Sequence, residues 1–237
     1  LSTSRIYSIE ALRQIPLKES ADRFVLDLPN NSVIGGCSEF GISEEFPTTA
    51  PLSLYGATKL ASEVLALEYG ADFSLPIRIN RCGVIGGPGQ FGRIDQGVFS
   101  YWVYSHALGK PLSYIGFGGT GKQVRDCVLA EDVAELVWRQ MADPWRNVPK
   151  ILNVGGGNDG ALSLLEITRL CESFFSNRLK ITACPEGRPM DIPYFVTDTR
   201  LAEKAWGWQS SRTGEEIVRQ LCQWTSTHLE QVWRQME

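Results

Sequence analysis

The chain has 237 residues, 43% hydrophobic and 21% charged, with a net charge of −4. That is enough apolar material for a core in one or two domains, and no run of Lys or Arg favours a nucleic-acid or anionic-membrane surface. No apolar run approaches a membrane span and no secretory leader is legible at the start, so a cytoplasmic protein is expected. The six cysteines, Cys37, Cys82, Cys127, Cys171, Cys184 and Cys222, form no CxxC pair, and His106 and His228 stand far from each other. Scattered in this way they read as reduced core residues, with no metal site.

Taken in chain order, Leu1 to Tyr7 reads as the end of a strand running into a loop, with the strand body absent. Phe24 to Leu28 and Ser32 to Ile34 are short apolar runs in a Gly/Pro-punctuated stretch, so residues 8–50 are expected to be irregular. Leu54, Leu60, Val64, Leu65 and Leu67 suit an amphipathic helix over 53–69, with Gly70 as its terminator. Ile77 to Cys82 is a strand and Gly86 to Gly89 a turn. Gly97 to Leu108 is an aromatic-rich helix stopped by Gly109 and Pro111. Leu112 to Ile115 is a strand candidate, Val124 to Val128 looks extended, Asp132 to Met141 is a helix and Ile151 to Val154 a strand. Ser163 and Glu166 match a capping box ahead of the next helix. Leu179 to Ala183 is a strand, Asp198 can cap a short helix ending at Gly207, and Gly214 to Leu229 is a final helix. Alternating strands and helices predict an α/β fold with a mostly parallel sheet.

Two glycine motifs compete for attention. Gly116-Phe117-Gly118-Gly119-Thr120-Gly121 matches GxGxxG, and with Lys122 it approaches a P-loop. Gln123 stands where a P-loop needs the hydroxyl that holds magnesium, and an extended run follows where a helix is required. Gly155-x-Gly157-x-x-Gly160 follows a strand, but its helix is capped at Ser163, beyond the last glycine. The plain reading is a tight strand-to-helix loop; the other is a second dinucleotide site.

Tyr55 and Lys59 stand at i and i+4, on one helix face. A nearby ammonium, helped by a cofactor's positive ring, favours the phenolate, so Tyr55 could exchange a hydroxyl proton as a hydride leaves or reaches the same carbon. An ordinary surface pair has the same spacing, and the context decides between them. Ser2-Thr3-Ser4 lies upstream, and Pro51-Leu52-Ser53-Leu54-Tyr55-Gly56 leads into the helix.

On these residues the chain resembles the extended short-chain dehydrogenases, the NAD-dependent epimerase/dehydratase family. The likeness continues through Arg81-Cys82-Gly83-Val84-Ile85-Gly86-Gly87-Pro88, Gln123-Val124-Arg125-Asp126, Arg188-Pro189-Met190-Asp191, and Asp198-Thr199 followed by Trp206-Gly207-Trp208. Within the family, Leu1 to Ile9, Gly89 to Gly97 and Tyr114 to Gln123 are most similar to the epimerases that act at carbon 2 of a CDP-sugar. The resemblance implies a Rossmann-like parallel sheet and a smaller α/β substrate lobe, with 1–83 and 126–158 in the former and 84–125 and 159–237 in the latter.

It also implies a set of roles. Thr3, Tyr55 and Lys59 would be catalytic, with Tyr55 and Lys59 also touching NAD. Arg125, Arg188, Gln96 and Val84 would meet a nucleotide-diphosphate sugar, the guanidinium forks suiting its phosphates. Val84 stands where many relatives carry a sugar-contacting Asn, which argues against a plain galactose epimerase. Ser4-Arg5 fills the place of a dehydratase's acid–base pair, which disfavours a dehydratase or reductase. The family's first half, on the order of a hundred residues of βα units, is expected to be missing. The chain would then keep its catalytic face and lose most NAD affinity, which leaves an inactive sugar-nucleotide-binding remnant as the rival reading. The full-length form is expected to be a homo-oligomer.

Overall fold

A computed structural model of the chain describes residues 1–29, 33, 35–93 and 96–236. Strand β1 (Ser2–Thr3) leads into a 3-10 turn at Ser4–Ile6, with the Arg5 amide bonded to Thr3 Oγ1 at 3.2 Å. The stretch expected to be irregular contains helix α1 (Ile9–Arg13) and two small antiparallel hairpins, β2 (Leu17–Glu19) with β3 (Phe24–Leu26) and β4 (Cys37–Ser38) with β5 (Gly41–Ile42). These strands of two or three residues are too short to show a period in the sequence. Of the apolar run from Ser32 to Ile34, Ser32 and Ile34 lie outside the described residues.

Helix α2 (Leu54–Asp72) is capped by Ser53, whose hydroxyl accepts from the Gly56 amide at 3.0 Å. Gly70 does not end it: α2 runs two residues further, because Gly70 serves close packing, a Cβ there standing 2.5 Å from Ile77 Cγ1. Strands β6 (Ile79–Cys82) and β7 (Val84–Gly86) follow, then helix α3 (Val98–Ala107), β8 (Ser113–Ile115) and β9 (Val124–Leu129). Helix α4 (Ala130–Ala142), β10 (Ile151–Val154), β11 (Ala161–Ser163) and α5 (Leu164–Phe175) come next, and the predicted capping box at Ser163 and Glu166 is formed.

Strand β12 (Thr182–Cys184) starts later than predicted, since Leu179 and Ile181 pack on a helical core instead of pairing. After β13 (Tyr194–Phe195), helix α6 (Arg200–Trp206) ends at Gly207 in the left-handed region. Asp198 Oδ1 accepts from the Arg200 amide at 3.1 Å, although Thr199 is the cap residue. The predicted final helix is two helices, α7 (Gly214–Thr227) and α8 (Leu229–Met236), broken at His228, whose ring stacks on Trp224 at 4.4 Å between centroids.

Strands β1, β6 and β10 form a parallel sheet in that order, with Thr3 opposite Cys82 and Val154 also opposite Cys82. Their shared direction puts all three carboxyl ends on one edge. Strand β9 belongs to further pairings, parallel to β7 and β13 and antiparallel to β11. The architecture is therefore α/β, with a Rossmann-like core sheet and further sheets and helices around it. Leu136, Leu152, Val154, Ala202, Trp206 and Trp208 bury one core beside the parallel sheet, and Phe99, Trp102, Ile167, Leu221 and Val232 bury another among α3, α5, α7 and α8. Burial of each large apolar side chain contributes about 1.5–3 kcal/mol. No helix among the described residues is long and apolar enough to cross a membrane. All six cysteines are free, and five are buried.

Candidate active site at the carboxyl edge of the sheet

Ligands of open parallel sheets bind beyond the carboxyl ends of the strands. Thr3 ends β1 at that edge. Helix α2 packs directly on the turn that follows, and Gly56 makes the approach possible. A Cβ there would lie 2.1 Å from the Arg5 carbonyl oxygen, so no larger residue fits. Tyr55 is next to Gly56 and 55% exposed. One turn on, Lys59 Nζ donates to the Leu1 carbonyl at 2.8 Å. The helix thus touches the β1 segment on both sides of Thr3, through Gly56 and Lys59.

Below this edge lies a buried polar network that the sequence did not announce. Arg81 of β6 grips Glu63 of α2, with Nη2 to Oε2 at 2.8 Å and Nε to Oε2 at 3.1 Å, and both side chains are under a tenth exposed. Ser2 also donates its hydroxyl to Glu63. Arg81 Nη1 donates to the Tyr7 hydroxyl and to the Glu44 carbonyl, both at 3.3 Å, and its guanidinium lies over the Tyr7 ring. Tyr7 in turn donates to Asn153 Oδ1 of β10 at 2.6 Å, and the Asn153 amide donates to Glu44 Oε1 at 2.6 Å. Burial alone would lower the Arg81 pKa, and bonding to Glu63 and Tyr7 outweighs it, so the net shift is upward. Burial pushes the Tyr7 hydroxyl up to about 12 against the pull of Arg81. The one cue in the sequence was that Glu63 continues the Tyr55–Lys59 spacing by four more residues.

Val84 opens β7 opposite Cys127, two residues beyond the Cys82 that pairs with Thr3. Gln96 is exposed at a turn where it and Arg93 exchange backbone bonds of 2.7 and 3.2 Å. No side-chain bond among the described residues joins Gln96 to the other candidates. Arg125 is mostly buried at the base of the 188–192 segment. Its guanidinium donates to the carbonyls of Val124 and Ile192 at 2.7 and 2.6 Å and reaches Asp191 Oδ1 at 3.4 Å. Burial lowers its pKa to about 10, Asp191 opposes that, and the like charge of Arg5 adds to it. Arg188 is exposed on the same segment. Arg13 of α1, which the sequence did not single out, ties this segment down through the carbonyls of Asp191 and Pro189 at 2.9 and 2.7 Å.

The Gly155–Gly160 loop has its amides engaged internally. Asp126 Oδ2 accepts from the amides of Gly156 and Gly157 at 2.8 and 3.2 Å, taking donors that a bound phosphate would need. A Cβ on Gly155 would meet that same oxygen at 2.3 Å, and one on Gly156 the Cys127 carbonyl at 2.0 Å. These glycines serve contact with β9, the tight-loop reading. In the other motif, Lys122 Nζ donates to Glu19 at 2.7 Å and to the Ser20 carbonyl at 2.8 Å, on the β2–β3 hairpin. No group of three or more His, Cys, Asp or Glu among the described residues could hold a metal ion.

Comparison with known proteins adds to this geometry. CDP-paratose 2-epimerase of Salmonella typhi is 28% identical over 232 residues, 95% of this chain and 64% of that protein. The structure of MoeE5 in complex with UDP-glucose and NAD superposes with a TM-score of 0.68 at 27% identity, over 84% of this chain and 64% of that one. UDP-glucuronic acid 4-epimerase from Bacillus cereus, in complex with UDP-glucuronic acid and NAD, shares the fold with a TM-score of 0.68 at 23% identity, over 83% of this chain and 60% of that one. The chain therefore spans less than two thirds of the length of each. Residues 13–155, more than half of the chain, match the description "NAD dependent epimerase/dehydratase family", and the chain belongs to that family.

Proposed function

We propose that the chain carries the catalytic face and sugar-nucleotide pocket of an NAD-dependent epimerase of the CDP-sugar 2-epimerase kind, acting on a nucleotide-diphosphate sugar. The observation that carries this reading is the packing of α2 on both sides of Thr3, through Gly56 on the Arg5 carbonyl and Lys59 on the Leu1 carbonyl. Tyr55 takes the proton from the reacting sugar hydroxyl as that carbon loses its hydride, and returns it when the ketone is reduced from the other face. Thr3 holds the reacting oxygen by a hydrogen bond. The exposed phenol of Tyr55 and the ammonium of Lys59, at the carboxyl edge of a parallel sheet, fit the nicotinamide side of NAD. When bound, NAD supplies the acceptor and donor of the hydride.

In this reading 1–83 and 126–158 form the dinucleotide side, and 84–125 and 159–237 form the sugar-nucleotide side. Arg125 and Arg188 face the diphosphate, Val84 and Gln96 the sugar, and the whole protein works as a cytoplasmic homo-oligomer. The 3-10 turn after Thr3 holds Ser4 and Arg5 and no acidic residue, which favours epimerisation over dehydration.

The test uses the whole protein with NAD and a CDP-sugar. Tyr55→Phe is expected to lower turnover by about 10²–10⁴-fold. Calorimetric affinity for the sugar nucleotide should change little, because only the proton carrier is lost. Lys59→Ala should weaken NAD binding as well. Unchanged turnover in Tyr55→Phe overturns the role of Tyr55. A product lacking the elements of water identifies a dehydratase, and sugar-nucleotide binding without turnover identifies an inactive remnant.

A further inference from the structure

The buried residues of α2 are Gly56, Glu63 and Gly70, spaced seven apart along one stripe. Both glycines let the helix lie close against its neighbours, and neither fixes its rotation or its position along the sheet. Glu63 is the one buried residue of the helix with a directional grip. Its carboxylate takes Arg81 Nε at 3.2 and 3.1 Å, Arg81 Nη2 at 2.8 Å and the Ser2 hydroxyl. Ser2 and Arg81 are register partners on adjacent strands, one position before Thr3 and Cys82. Lys59 and Glu63 stand at i and i+4, so the grip falls one turn beyond Lys59 and about two beyond Tyr55.

We propose that the Glu63–Arg81 pair, with Ser2, is a positioning device that fixes the register of α2 on β1 and so sets Tyr55 and Lys59 against Thr3. The inference rests on the epimerase reading above. Two charges taken out of water are a costly way to stabilise a fold, and well-packed apolar residues of similar volume commonly serve as well or better. Apolar contacts, however, are non-directional and would let the helix slide or turn. The carboxylate and guanidinium fork fix both coordinates at once. Gly56 and Glu63 are two helical turns apart, about 10 Å along the axis, so a small tilt at Glu63 is felt at Tyr55.

The test is the double variant Glu63→Leu with Arg81→Met in the whole protein, assayed beside Tyr55→Phe and the triple variant. The apolar pair is expected to preserve the melting temperature while kcat falls on the order of 100-fold, the loss that about 1 Å of misplacement brings. KM for the sugar nucleotide should stay within about twofold, since its binding groups are elsewhere. In the Tyr55→Phe background, at saturating NAD, the same pair should cost far less than 100-fold, because the proton carrier being positioned is gone. Unchanged kcat in the stable double variant, or a repeated full loss in the triple variant, overturns the proposal. A crystal structure of the double variant with Tyr55 unmoved relative to Thr3 overturns it whatever the activity. Should the double variant not fold, Ser2→Ala removes one strand contact and is expected to give a smaller fall in kcat at unchanged KM; no fall overturns the proposal. Failure of the epimerase reading is distinguished by Tyr55→Phe alone turning over at the unsubstituted rate.

Discussion

The parallel sheet β1–β6–β10 with its α2 layer and the lobe of α3, α5, α7 and α8 both bury apolar cores, and they differ in their polar groups. In the sheet region Ser2, Glu63, Arg81, Tyr7, Glu44 and Asn153 share one buried polar network whose bonds have direction. In the lobe the large groups are aromatic and aliphatic, with Trp102 stacked on Tyr114 at 5.6 Å and Tyr104 beside Trp224 at 6.0 Å. Its interior polar contacts are small uncharged clusters, such as Thr168 Oγ1 with Trp102 Nε1 at 2.9 Å and the Tyr114 hydroxyl at 2.7 Å. His106, fully buried there, has no partner for either ring nitrogen among the described residues. A network of directed bonds specifies where elements stand. A packed apolar lobe supplies stability by area and tolerates a small shift. The residues proposed to react, Thr3, Tyr55 and Lys59, stand on the first kind of region.

The largest expected effect breaks the network from one side. Arg81→Met alone leaves the Glu63 carboxylate buried and unpaired, and is expected to cost about 3–5 kcal/mol in denaturant unfolding. Restoring balance with Glu63→Leu should recover most of that loss. A single substitution as mild as a surface change would show that the network is not the frame of the sheet region.

Next in size is an acid response of the lobe. Burial lowers the His106 pKa to about 4 from its usual 6.5. Above pH 6.5 the folded and unfolded states are both neutral and the histidine has no effect. As pH falls below 6.5 the unfolded chain takes up the proton first, so stability drops until about pH 4, by about 3 kcal/mol in total. Unfolding curves between pH 4 and 7 should show the drop, and His106→Leu should remove it. The same drop in the variant would assign it to other groups.

The smallest effect sharpens the contrast at the surface. The Arg219–Glu215 pair of α7 is ionic like Arg81–Glu63 but more than half exposed at both side chains. Arg219→Ala is expected to change stability by about 0.5 kcal/mol or less. A cost approaching that of Arg81→Met would mean that burial does not separate the two pairs.

The sequence was informative where signals are local. Apolar spacing located α2, the Gly109 and Pro111 stop bounded α3, the Ser163–Glu166 box located the start of α5, and the short apolar run Ile151 to Val154 located β10. The stretch 8–50 was not legible, because its strands pair over two or three residues and lean on distant segments such as Val196, whose carbonyl takes the Ile42 amide at 2.8 Å. Strand β13 was missed for the same reason: two residues find their place by lying beside β9. The resemblance singled out Arg125 as a contact for a nucleotide diphosphate, yet its bonds to Ile192 and Asp191 depend on where the 188–192 segment returns.

The amino-acid order by itself determined the alternation of strands and helices, the family likeness and the Tyr55–Lys59 spacing, since propensity, capping and side-chain period act within a few residues. The tertiary structure decided which charges meet. Glu63 faces Arg81 eighteen residues away, and Asp126 fills the amides of a glycine loop thirty residues away. Such pairings depend on long-range strand register and on burial, which turns a weak exposed attraction into a contact whose loss leaves a charge without water.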